Sequence, residues 1–221
     1  MIFGYWSWNG FRRIDKGLRM ERCLHGDGKL HFAPMDGVRR IVITGPESSG
    51  KTAMARELAG HYDTVWVSEM ARPYLTALEV DGASVPYNEH DLLRIAHLQL
   101  RTEDALAASI TADRPQLLFC DTDLITIRIW GEEKYGRSDP WIVQRTEERH
   151  YDLWLLCTPD MPWEPDPLRE NPHDRDRLFT VYERTLRDLK KPFVVLRGPH
   201  AERMTAAIRA IASLRNVRDP A

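Results

Sequence analysis

Residues 45–52 read GPESSGKT and directly follow the apolar run RRIVIT. Glycines at 45 and 50 let the backbone turn tightly, so successive N–H groups face inward and can cradle phosphate oxygens. Glu47, Ser48 and Ser49 fill the loop between them. In the pattern G-x-x-x-x-G-K-[ST], Lys51 reaches the outer phosphates as a mobile point charge. The Thr52 hydroxyl binds Mg²⁺. A helix starting at Lys51 adds its positive end to the same spot. This is the chemistry of nucleoside triphosphate binding, with ATP and Mg²⁺ the expected pair. It leaves the acceptor open.

Such a loop needs a carboxylate on a neighbouring strand to hold the metal, directly or through water. The run LLFCDTD supplies Asp121 and Asp123. Asp121 is the expected metal residue because it directly ends the apolar run. Asp123 would point the same way if the strand persisted; it is either a helix cap or a ligand and base for the acceptor. A second run, WVSEMAR, ends at Glu69. Glu69 could take the proton of an attacking hydroxyl or grip a ribose, and Arg72 could bind phosphate or pair with an acid. An ordinary surface Glu–Arg pair is the plainer alternative.

The stretch PWEPDPLRENPHDRDRLF, residues 162–179, is a long connection rich in proline and charge. Such connections often act as active-site lids, and arginines brought over a transferred phosphoryl group offset its charge. Arg169, Arg175 and Arg177 are the candidates. Spaced by two, Arg175 and Arg177 cannot both face one side of a helix, so at most one should reach the phosphates. Trp130, Tyr135, Tyr74 and Trp163 could each stack on a flat ring, or each belong to the core.

Strands and helices must position these groups. RRIVIT, TVWVSE, QLLFCD, DLWLLC and PFVVLR read as five strands. Helical patterns cover Lys51–His61, about Asp91–Ile110 with Asn88 as a cap, Arg175–Leu189 and Ala201–Leu214. Near-continuous apolar strands separated by helices predict an α/β fold: a mainly parallel sheet with helices on both faces. Residues 39–221 form one expected domain, and residues 1–38 an expected loosely ordered extension, with Met35 a plausible true start.

The chain has 221 residues, 29% of them charged and 43% hydrophobic, with a formal net charge of −2. No whole-chain field points to nucleic acid or an anionic membrane, and no apolar run is long enough to cross a bilayer. Cys23, Cys120 and Cys157 are far apart, and two of them sit in strand-like runs. Reduced core thiols in a cytoplasmic protein are expected. The histidines show no metal-ligand spacing, and oligomeric state leaves no trace in the sequence.

Taken together, these residues resemble the ribosylnicotinamide kinase domain of the NadR-type NAD-biosynthesis proteins. The resemblance runs from about Val38 to the C-terminal helix. It rests on GPESSGKT, WVSEMARPYL, FCDTDLITIRIWGEEKYG, YDLWLLCTPDMPWEPDPLRE and RMTAAIRAI, in that order. It implies a P-loop nucleoside triphosphate hydrolase fold, with the phosphate-loop strand between the third and fourth strands. It also implies ATP-dependent phosphorylation of the 5′-hydroxyl of nicotinamide riboside, giving nicotinamide mononucleotide. The larger members carry a helix-turn-helix module and an adenylyltransferase domain before the kinase; here a free-standing kinase is expected. Pro167 stands where the family pattern commonly has Gly before Leu-Arg, which would stiffen the entry to Arg169. Two alternatives stay open: a kinase for another nucleoside or small alcohol, and a nucleotide-dependent switch module.

Overall fold

The computed structural model describes residues 37–78, 86–165 and 173–214. Chain contacts separate Met1–Ala33 from Pro34–Ala221, and all described residues belong to the second unit. The extension expected over residues 1–38 therefore lies outside the described residues, apart from Gly37 and Val38.

Five strands form one sheet: β1 (Arg39–Thr44), β2 (Val65–Val67), β3 (Leu117–Asp121), β4 (Leu153–Cys157) and β5 (Phe193–Leu196). Their order is β2-β3-β1-β4-β5, and every pairing is parallel. The expected place of β1, between β3 and β4, is the observed one. Seven helices connect them: α1 (Lys51–His61), α2 (Ala71–Thr76), α3 (Glu89–Ser109), α4 (Leu124–Tyr135), α5 (Pro140–Glu148), α6 (Arg175–Asp188) and α7 (His200–Ala212).

Alternation along β1 splits the core in two. Ile41 and Ile43 pack with Met54 and Leu58 of α1 and with Ala207 and Ile211 of α7. Val42 faces the other way, among Ile125 and Ile129 of α4, Ala107 of α3 and Leu186 of α6. Burying both faces is what makes these strands apolar throughout. A third cluster joins α2, α3, α4 and α5 around Leu75, Ile95, Leu124 and Ile142.

Two local features differ from the sequence reading, and a third, the Asn88 cap, follows it. β2 stops at Val67, so Glu69 stands in the connection to α2 rather than at a strand end. Trp130 and Tyr135 belong to α4, a helix of its own. α3 begins at Glu89, where Asn88 caps it: its side chain accepts from His90 N–H at 2.9 Å, and Asp91 accepts from Asn88 N–H at 2.9 Å. No helix among the described residues is long and apolar enough to cross a membrane.

Candidate functional site

Parallel strands deliver their carboxyl ends to one edge of the sheet, and the phosphate loop leaves β1 there. Gly45 has φ 134, and a Cβ on it would stand 2.5 Å from the Cys157 carbonyl oxygen of β4. Only glycine lets the chain leave so close to its neighbour. Gly50 is left-handed at φ 81 and caps α1, whose first turn carries no acidic residue to weaken its positive end. Ser49 Oγ donates to the Pro46 carbonyl at 2.8 Å, and Lys51 Nζ donates to the same oxygen at 2.8 Å. Lys51 thus rests on its own loop, within reach of whatever the loop holds.

Register places Asp121 beside Ile43, just before the loop. Thr52 Oγ1 donates to Asp121 Oδ2 at 2.6 Å, while Asp121 Oδ1 is buried with no hydrogen-bond partner among the described residues. Burial raises the Asp121 carboxyl above its usual range, against the Thr52 hydrogen bond and the charges of Lys51 and Arg72. An unpartnered carboxylate oxygen beside a hydroxyl is a hard-oxygen pair that fits Mg²⁺, whose remaining positions water and phosphate commonly fill.

A crevice of about 440 Å³ opens over the loop. The loop itself, residues 45–53, forms its floor. Glu69, Arg72 and Leu75 line one wall, Thr126, Trp130 and Glu133 of α4 another, and Leu178 and Tyr182 of α6 a third. Glu69 is half-buried there. Desolvation raises its carboxyl, opposed by Lys51 and Arg72 and reinforced by Asp121 and Glu47.

Asp123 does not join them. Thr122, at φ 69, breaks the strand alternation after Asp121 and turns the chain into α4. Asp123 becomes the cap of that helix. It is 1% exposed, accepting from Thr126 N–H at 3.4 Å and from the Trp154 indole at 2.9 Å. Burial pushes its carboxyl up to about 7. Of the two expectations for Asp123, the cap describes its position, and the acceptor ligand does not.

The arginines separate as well. Arg175 Nη1 donates to the Met161 carbonyl at 2.9 Å and to the Ser48 carbonyl at 3.3 Å, and its guanidinium lies 5.7 Å from the Trp163 ring centre. It braces the outside of the phosphate loop. Arg177 pairs instead with Glu133 and Asp174. Arg169 and Pro167 lie outside the described residues. Among the aromatic residues, Trp130 lines the crevice and donates its indole N–H to Tyr87 at 3.0 Å. Tyr135 donates to the Tyr87 carbonyl at 3.1 Å, and Tyr74 to Asp91 at 2.8 Å. Those two serve packing between α2, α3 and α4.

A family model described as an AAA domain matches residues 40–203. The chain belongs to this AAA domain family. It is 30% identical over 141 residues to the trifunctional NAD biosynthesis/regulator protein NadR of Salmonella typhimurium, which covers 63% of this chain and 33% of that protein. It thus spans about a third of the length of the curated relatives it matches. A solved NadR structure in complex with NR superposes with a TM-score of 0.69 at 21% identity, over 83% of this chain and 53% of that one. Deoxyadenosine kinase from M. mycoides shares the fold at a TM-score of 0.55 and 12% identity, over 79% of this chain and 100% of that one. The sheet of this AAA domain is therefore that of the P-loop nucleoside and nucleotide kinases, and the NadR-type resemblance read from the motifs is found again.

Sequence reasoning missed a residue of this AAA domain that holds the loop from behind. Arg203 of α7 is 1% exposed, and its guanidinium donates to the carbonyls of Ser49 at 2.9 Å, Gly198 at 2.8 Å and Thr158 at 3.1 Å. It also pairs with Asp160. Its one signal in the sequence is an arginine on the apolar face of an amphipathic helix. Thr126 and Tyr182 were missed too. Thr126 Oγ1 lies 3.2 Å from Thr44 Oγ1, which ties α4 to the end of β1.

Proposed function

We propose that this AAA domain is an ATP-dependent kinase that phosphorylates the 5′-hydroxyl of nicotinamide riboside and yields nicotinamide mononucleotide. One observation carries the reading: the phosphate loop, Thr52 with its Asp121 partner, and Glu69 converge on a single crevice. Backbone N–H groups of residues 47–52, at the start of α1, bind the triphosphate. Lys51 leaves the Pro46 carbonyl and reaches the outer phosphates. Thr52 and Asp121 would hold Mg²⁺, which when bound offsets charge on the phosphates.

Glu69 accepts the proton of the acceptor hydroxyl, for which its raised carboxyl is better suited than an ordinary glutamate. Arg72, beside it, binds phosphate or steadies its charge. Glu47, Glu69, Glu133 and Glu164 line the crevice with Lys51 and Arg72, and Arg177 pairs with Glu133. Trp130 offers a π-face to an acceptor ring, which is positively charged in a ribosylated pyridine. Likeness to NadR supports the same acceptor. Cys120 and Cys157 are buried free thiols, in keeping with a cytoplasmic place for the protein.

Purified protein supplied with ATP, Mg²⁺ and nicotinamide riboside should form the mononucleotide and ADP in equal amounts. A folded, ATP-binding sample that forms none overturns the proposal. Faster turnover of another nucleoside in an acceptor panel would keep the kinase and replace its substrate.

A further inference from the structure

Glu69 sits in the short connection between β2 and α2, and the next residue along ties that connection to the interior. Met70 donates its backbone N–H to Gln99 Oε1 at 3.1 Å. Gln99 stands on α3 and is 1% exposed, so the accepting oxygen is shielded from water. An amide side chain can flip and present nitrogen where oxygen was. Here the flip is opposed, because Gln99 Nε2 donates to Glu103 Oε1 at 3.1 Å, one turn along the helix.

Glu103 is 0% exposed and, when ionised, can only accept. Its other oxygen takes the Tyr151 hydroxyl at 2.8 Å and the Arg149 guanidinium at 3.1 Å. Arg149 supplies the counter-charge that a buried carboxylate requires. Each group in this chain fixes the polarity of the next. The last of them fixes a peptide.

We infer that Gln99 and Glu103 are positioning residues: they hold the Glu69–Met70 peptide and so set the direction in which the Glu69 side chain enters the crevice. The catalytic consequence rests on the kinase reading above, whereas the hold on the peptide does not. Gln99 is a polar residue fully buried on a helix, with both ends of its amide used. A residue serving packing alone would be apolar at that position at less cost.

Two measurements are made on the same proteins: hydrogen exchange at the Met70 amide by NMR, and kcat and KM for ATP and acceptor. Gln99→Met keeps the length of the side chain and removes both bonds. It should raise Met70 exchange about tenfold or more and lower kcat about tenfold to a hundredfold, with KM for ATP within about twofold. Exchanging the two, Gln99→Glu together with Glu103→Gln, restores every donor and acceptor with the charge moved one turn. That double variant should recover both readouts relative to Glu103→Gln alone.

Unchanged exchange in Gln99→Met overturns the inference. So does raised exchange with unchanged kcat, a joint deterioration of kcat and KM for ATP, or a double variant no better than Glu103→Gln. If Gln99→Met does not fold, Glu103→Gln is judged by the same criteria. A wild-type protein that transfers no phosphoryl group overturns the kinase reading, while exchange at Met70 still decides whether Gln99 holds the peptide.

Discussion

Two carboxylates looked alike in the sequence and have opposite surroundings. Glu69 faces the crevice with Lys51 and Arg72 near it, whereas Asp123 is enclosed by its own helix and an indole. Glu69→Gln should lower kcat about 10²- to 10⁴-fold, while Asp123→Asn should leave it within a few-fold, both measured at saturating ATP and acceptor. The proposed base must be ionised to act, and burial raises the Glu69 carboxyl. The acid limb of the kcat–pH profile should therefore lie above the usual glutamate range. A limb at the ordinary position would remove Glu69 from that role. Asp123 has a different pH signature. Its carboxyl ionises at about 7 in the fold against an ordinary 3.8. Between those values the folded state holds the extra proton, so stability from this group falls as pH rises. Asp123→Asn removes that dependence. Urea unfolding should show the variant gaining on the wild type between pH 5 and pH 8, and a constant difference across that range would contradict the assignment.

At the scale of elements, the phosphate loop is held from two sides by helices distant in sequence. Arg203 of α7 binds the Ser49 carbonyl from within, and Arg175 of α6 binds the Ser48 carbonyl from the rim. Arg203→Met would leave the buried Ser49 and Thr158 carbonyls and the half-buried Gly198 carbonyl without this donor, and Asp160 without its counter-charge. It should cost about 3 kcal/mol in urea unfolding and raise KM for ATP, because the loop loses its backing. Arg175→Met should affect KM with little loss of stability, since the Ser48 carbonyl lies where water can reach it. The strands themselves were legible because both faces are buried and each reads as a continuous apolar run. α2 and α5 were not, because their apolar residues pack against other helices, and α4 was legible only at its Asp123 start.

At the scale of the molecule, the sheet order β2-β3-β1-β4-β5 puts the phosphate loop at the centre and Asp121 on the adjacent strand. A ligand bound there is felt by the whole fold. ATP with Mg²⁺ at a hundred times its Kd should stabilise the protein by about 2.7 kcal/mol, seen as a rise in Tm. Lys51→Ala should fold as the wild type does, since among the described residues Lys51 Nζ donates only to the Pro46 carbonyl of its own loop. Its Tm should no longer respond to ATP over the same range. A full ATP response from Lys51→Ala would exclude the loop as the triphosphate site.

The sequence by itself determined the phosphate loop, the five strands and the carboxylate beside Thr52. Each is a local pattern: glycine spacing, apolar runs, and an acid directly ending a run. Tertiary structure alone decided which of Glu69 and Asp123 meets the crevice, which arginines reach the loop, and that Gln99 holds the peptide after Glu69. Those outcomes depend on one left-handed residue at Thr122, on helix faces, and on contacts between segments 29 to 154 residues apart. Spacing along a chain says which groups are near neighbours in sequence; only packing says which of them share a buried space.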